Sequence, residues 1–251
     1  MNAIETAFQE TTKLLFGKPL GPLDDYEEWL TRRIPKGTLT KSAVNGRPLY
    51  LPRHAIFKEI PKNAAAGMDS FSELSKRQLA IGDESLASLK PKLKDIAICI
   101  AEFAEGNNSD VIASAVYMDL LHAYKIVDCF HSKRIAYAFF SDHCESVFGT
   151  AKSFNCHFSI NCYNSKFISR SFEVDFSKNC SDVMFCHNCD RMQDSLFCFN
   201  ARNKKYAIAN NEVGKEQYME TRAKLVERIL ESLEKKKYFE PDIYTIGCRR
   251  V

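Results

Sequence analysis

Apolar positions change their rhythm along this chain. In the first part they follow helical spacing: Ile4, Ala7, Phe8, Thr11, Leu14 and Leu15 recur at i, i+3, i+4 and i+7 and predict a helix ending near Gly17. Asp24 to Ile34 places acids in its first turn and bases in its last, which predicts a second helix stopped by Pro35 and Gly37. Ala43 to Leu51 carries Asn45-Gly46 between short apolar stretches, a hairpin signal, and Pro48 assigns that hairpin to an edge. Ser70 with Glu73 has the capping-box spacing ahead of Leu74, Leu79 and Ile81, with Gly82 as the stop. Pro91 is expected to open a helix through Ala104, and another is expected from Ser109 or Asp110 through Leu121. At the far end, Tyr218, Arg222, Leu225, Val226, Ile229, Leu230 and Leu233 form a stripe under a charged face and predict a helix over Lys215 to Lys237.

Between these helical regions the period is three. Of the 26 positions taken every third residue from Ile126 to Ala201, all but Met192 are Cys, Ser, Thr, Ala, Val or Ile. In the next phase six positions are of that set, and in the remaining phase only Ser146 is. A longer spacing lies on top: Cys144, Cys162, Cys180 and Cys198 are 18 apart, as are Ser141, Ser159, Ser177 and Ser195, and Phe140, Phe158 and Phe176. Self-similarity at a fixed period marks a solenoid, in which each coil buries its face against the next. Stacked parallel coils bring equivalent residues to about 4.8 Å, so Cys and Ser have the right size to fill a thin interior as ladders. A plain strand alternates at two, so strict thirds require very short bridges between bends. The outward phase is rich in Asn (Asn155, Asn161, Asn164, Asn179, Asn188, Asn200, Asn203), which tolerates the left-handed backbone of corners.

The expected architecture is therefore α+β. A mainly helical region over 1–122, with a hairpin near 43–51, precedes a short parallel β-solenoid over 123–210 with about 18 residues per coil. A carboxy-terminal helix and tail over 211–251 would cap it, because the open edge of a coil stack must be covered. Composition adds few surprises: 251 residues, 45% hydrophobic and 27% charged, describe an ordinary folded chain. A formal net charge of +3, with no basic run beyond the one around Lys235 to Lys237, argues against a nucleic-acid partner. The longest apolar run, Ile96 to Ala101, is too short for a membrane span, and Met1 to Glu10 lacks the apolar segment of a secretory leader. The expected location is the cytoplasm, or a particle assembled there, without a membrane partner.

Ten cysteines remain to be explained, nine of them at or beyond Cys129. Cys186-His187-Asn188-Cys189 has the spacing of half a tetrahedral zinc site, and a second such pair is missing, so Cys186 and Cys189 are weak metal candidates set against ladder packing. The His143-Cys144 and Cys156-His157 pairs suggest a thiol nucleophile, but Cys144 belongs to the ladder, and core thiols are inert. Calcium binding by a nine-residue β-roll requires glycines that the segment after Thr150 lacks. Glu173, Asp175 and Asp182 are expected to face solvent.

The run Phe197-Cys198-Phe199-Asn200-Ala201-Arg202-Asn203-Lys204-Lys205-Tyr206-Ala207-Ile208-Ala209-Asn210, followed by Val213-Gly214-Lys215-Glu216-Gln217-Tyr218, resembles the closing motif of a family of cysteine-rich repeat proteins. That family, from archaea, candidate-phylum bacteria and tailed viruses, ends rows of Asn, Ser and Cys in a Cys-Phe, Lys-x-Tyr-x-Ile, Asn and Glu-x-Tyr run before a helix. The resemblance covers about 123–237. It implies the solenoid and its terminal helix, and the zinc-ribbon cysteines of longer members are missing here. The expected role is a non-enzymatic structural or assembly protein, such as a component of a virus-like or other large particle, with protein partners or self-assembly and no cofactor. The alternative is a binding module for a protein or glycan, and a zinc-dependent or thiol enzyme comes third.

Overall fold

The coil closes after 12 residues. The computed structural model describes residues 3–34, 37–51, 59–83, 85–106, 109–112, 116–118, 121–124, 127–129, 134–141, 145–150, 153–155, 157–162, 165–166 and 168–247. Through its parallel ladder Ile135 pairs with Val147, Val147 with Ser159, Ser159 with Ser171, Ser171 with Val183, Val183 with Ser195, and Ser195 with Ala207. From Glu173 to Ala209 every third residue has φ between 46° and 55°. One left-handed residue per triad turns the chain after a single outward position and so returns the third residue to the interior. Four triads make one coil with four walls. Asn155, Asn179, Asn188, Asn200 and Asn203 all occupy such corners, as their tolerance of positive φ predicts.

The β-solenoid is present, but its coil is 12 residues rather than 18. A spacing of 18 is one and a half coils, so Cys180 and Cys198, or Ser177 and Ser195, all point inward yet lie on opposite walls. The true columns are Ser171, Val183, Ser195, Ala207; Val174, Cys186, Cys198; Ser177, Cys189, Ala201; and Ile168, Cys180, Met192, Lys204. Every side chain named in the first three columns is buried. Cys144 lies outside the described residues, whereas the backbones of Cys162 and Ser141 lie in strands Phe158–Cys162 and Arg134–Ser141.

Strands begin earlier than expected. The helices predicted over 91–104 and 109–121 are replaced by one short helix, Leu86–Lys92, that contains Pro91, and by strands Cys99–Ile100, Phe103–Glu105, Ser109–Ile112, Val116–Met118 and Leu121–Tyr124. Phe103 pairs with Val116, an offset of 13, and Val116 with Val127, an offset of 11. These slips break the triad phase, which is why the three-residue rhythm is invisible there and the apolar residues mimic helical spacing. The predicted hairpin is formed by Thr38–Lys41 and Pro48–Leu51, with Gly46 at φ 74° in its turn. The helix after Ser70 is only Phe71–Leu74, and Ser70 makes no side-chain cap bond.

Helix α1, Ala3–Phe16, forms on the predicted stripe and ends at Gly17, where φ is 80°. Its buried face of Ile4, Ala7, Phe8, Leu15 and Phe16 packs on the outside of one solenoid wall. That wall carries an apolar column at the 12-residue spacing: Phe148, Ile160, Phe172, Met184, Leu196 and, half-buried, Ile208. Phe8 meets Phe148 edge to face at 5.2 Å, and Phe16 meets Phe172 at 5.4 Å. The segment predicted as a second helix is a 3-10 turn, Leu23–Tyr26, followed by Glu27–Leu30 (α2), which buries Tyr26, Trp29 and Leu30 in the same core.

The predicted carboxy-terminal helix, α3 (Lys215–Lys236), is present with Tyr218, Val226, Ile229 and Leu233 buried. It joins the α1 core along the wall, and Arg222 Nη2 donates to the Leu15 carbonyl at 2.9 Å. The last coil is closed instead by the two-residue strand Asn211–Glu212, antiparallel to Arg202–Ile208. Lys205 N–H donates to Glu212 Oε1 at 3.0 Å, and the Asn210 side chain bonds both N–H and C=O of Phe199. Side chains thus satisfy edge groups that would otherwise template association.

Candidate functional site

The inward columns have a chemistry beyond small size. Ser177 Oγ donates to the Asp175 carbonyl at 2.8 Å, and Ser195 Oγ to the Gln193 carbonyl at 2.9 Å. Cys180, Cys186, Cys189 and Cys198 make the same contact with the carbonyls of Lys178, Met184, His187 and Leu196 at 3.2–3.5 Å. In each case the partner is two residues back, just before the left-handed corner. Interior Cys and Ser therefore fill the lumen and also bond carbonyls that the turning backbone aims inward. Ser159 is buried as predicted, although its hydroxyl has no partner.

Cys186 and Cys189 sit on adjacent walls, and Cys186 lies in the same column as Cys198. The Cys186 thiol lies close enough to Cys189 and Cys198 for the three to influence one another's acidity. Hydrogen bonding from Cys186 holds Cys189 below the usual thiol range and Cys198 down at about 7. Burial pushes Cys186 up, and it pushes Cys180, on another wall, up to about 11. All four are free thiols. Among the described residues no group of three His, Cys, Asp or Glu is placed to hold a metal ion. Of the two predicted Cys/His pairs, His143, Cys144 and Cys156 lie outside the described residues, and His157 is exposed.

Two acids expected at the surface are fully buried instead. Glu173 is ion-paired with Arg32 and accepts Ile243 N–H at 3.0 Å. Arg32 also donates to the carbonyls of Phe239 at 2.6 Å and Pro241 at 3.0 Å. Arg33 holds Asp242 at 2.6 Å, and Asp242 Oδ1 accepts the N–H groups of Tyr244 and Thr245. Burial raises the Glu173 carboxyl to about 7 against the opposing influence of Arg32. This node ties the segment after α2, a solenoid corner and the carboxy-terminal tail together. Sequence periodicity missed it, although a lone acid between Gly149 and Phe185 at the 12-residue spacing of the covered wall was its signal.

The second buried acid, Asp175, pairs with His187 Nδ1 at 2.9 Å across neighbouring coils. Its other oxygen, Oδ1, has no hydrogen-bond partner. His187 is partly exposed, and the exposed Phe176 ring stands against it at 6.1 Å. Asp182, as expected, is not fully buried.

The chain matches no protein-family model, no curated protein and no solved structure. Among the described residues no helix is long and apolar enough to cross a membrane.

Proposed function

We propose that this is a non-enzymatic structural or assembly protein whose solenoid acts as a rigid spacer, with protein partners or further copies of itself docked on its walls. The supporting observation is the repeated bond from an inward thiol or hydroxyl to the carbonyl two residues back, which gives these six interior side chains a part in holding the coil. One wall is already occupied by α1 and α3. Lys204, Lys205 and Glu212 place charge on the closed end of the stack, which disfavours growth end to end and leaves the side walls for association. Sedimentation velocity and electron microscopy of the purified chain, alone and with proteins encoded beside it, test this reading. Ordered self-assembly or co-assembly is expected.

A second reading, a binding module for a protein or glycan, is favoured by one outer surface. There Phe176 stands exposed beside His187, and Asn188 Nδ2 donates to Asn200 Oδ1 at 2.7 Å on the next coil. A stable monomer that binds a defined glycan or protein, and loses that binding in Phe176→Ala, would replace the structural reading with this one.

A further inference from the structure

The cysteines nearest the closed end of the stack differ from Cys180, the other buried thiol among the described residues. Val174 pairs with Cys186, and one coil further on His187 N–H donates to the Cys198 carbonyl at 2.9 Å, so Cys186 and Cys198 are stacked neighbours on one wall. Parallel neighbours hold their Cα atoms about 4.8 Å apart. Disulfides span Cα separations of about 4.4–6.8 Å, so this pair meets the Cα distance requirement. As stacked neighbours, the two thiols influence each other's acidity. Cys189, on the adjacent wall, directs its Sγ to the Cys198 carbonyl at 3.3 Å.

We propose that Cys186 and Cys198 are an oxidation-sensitive pair that a hydroperoxide converts into a disulfide stapling two successive coils. The Cys198 thiolate attacks a peroxide oxygen; the O–O bond breaks, leaving a sulfenic acid on Cys198 and hydroxide, which takes up a proton to become water. The Cys186 sulfur then attacks the Cys198 sulfur. The S–S bond forms, the S–O bond breaks, and the departing hydroxide leaves as water with the Cys186 proton. Two thiols have lost two electrons, and hydrogen peroxide has become two molecules of water.

Chemistry and position both assign the attacking role to Cys198. Its acidity is lowered to about 7 by the Cys186 hydrogen bond, by the Asn210 N–H and by the charge of Lys204, so a thiolate is available at neutral pH. At Cys180 burial outweighs the backbone hydrogen bond from Met192 that favours the thiolate, and the group stays a thiol. Access is local: the strand beyond Cys198, Arg202–Ile208, is paired on its outer edge with the two-residue strand Asn211–Glu212. Opening that edge is far easier than unfolding the chain.

The test uses the full chain treated with hydrogen peroxide, then unfolded in an alkylating reagent and mapped by peptide mass spectrometry. The expected result is the loss of two alkylatable thiols per chain, a Cys186–Cys198 linked peptide, full reversal by dithiothreitol, and a Cys180 that remains alkylated. Cys189→Ser should keep the linkage and Cys198→Ser should lose it. If Cys198→Ser does not fold, wild-type mapping and Cys189→Ser decide the matter alone. Unchanged alkylation after peroxide, or a linkage from Cys186 to Cys189 or between chains, would overturn the proposal.

Discussion

Replacing Arg32 with Met removes the charged partner of the buried Glu173 carboxylate, the one ion pair it makes among the described residues, while keeping a long apolar stem. Breaking a buried ion pair on one side costs about 3–5 kcal/mol, because the remaining charge is stranded. In a chain of this size 1 kcal/mol moves the thermal midpoint by roughly 2–4 °C, so a loss of about 10 °C is expected at pH 8. The size of the loss depends on pH in a direction set by Glu173. Its folded-state pKa is raised from 4.5 to about 7, so the native state holds this proton more tightly than the unfolded chain. Its contribution to stability is complete below its unfolded value and is lost as pH rises through about 7. At pH 5 the carboxyl is mostly protonated, and Arg32→Met forfeits mainly hydrogen bonds to the carbonyls of Phe239 and Pro241, about 1–3 kcal/mol. At pH 8 the unpaired carboxylate adds its desolvation cost. The readout is the difference in denaturant-unfolding free energy between variant and wild type at the two pH values, so that other titrating groups cancel. Glu173→Gln added to Arg32→Met should restore much of the loss at pH 8. A penalty equal at both pH values, or a double variant no better than Arg32→Met, would refute the reasoning.

Three further outcomes test the packing. Cys186→Phe should cost about 1–3 kcal/mol or more by forcing a ring into a close-packed interior, while Cys186→Ser keeps the donor to the Met184 carbonyl and stays mild; equal denaturation midpoints would contradict the inward assignment. A Cβ at Gly149 would lie 2.2 Å from the Leu30 carbonyl oxygen, so Gly149→Ala must push α2 off the wall, and an unchanged melting temperature would show that this close approach is not required. Truncation from Gln217 onward removes Tyr218, Val226, Ile229 and Leu233 together with the tail that holds Arg32, and light scattering should show the chain aggregating; a monomer with its wild-type melting temperature would show that α3 does not cover the wall.

What the sequence determined by itself was the triad. A residue that must face a narrow lumen has to be small, a corner must accept positive φ, and both demands act on single residues, so they repeat visibly from Ile126 to Ala201. Helix α1 and helix α3 were legible for the same reason: each writes its buried stripe locally. The number of triads per coil was not local. Because Cys and Ser suit all four walls equally, spacings of 12 and 18 look alike within the inward phase, and only the pairing of Ser171 with Val183 and of Val183 with Ser195 decided between them. The same closure at 12 gathers Phe148, Phe172 and Leu196 into one outer column, brings Arg32 across 141 positions to Glu173, and stacks Cys186 on Cys198. The Arg32–Glu173 contact joins residues far apart in the chain, and its partners carry no shared pattern. Tertiary structure alone placed a buried charge at a corner that periodicity had given to solvent.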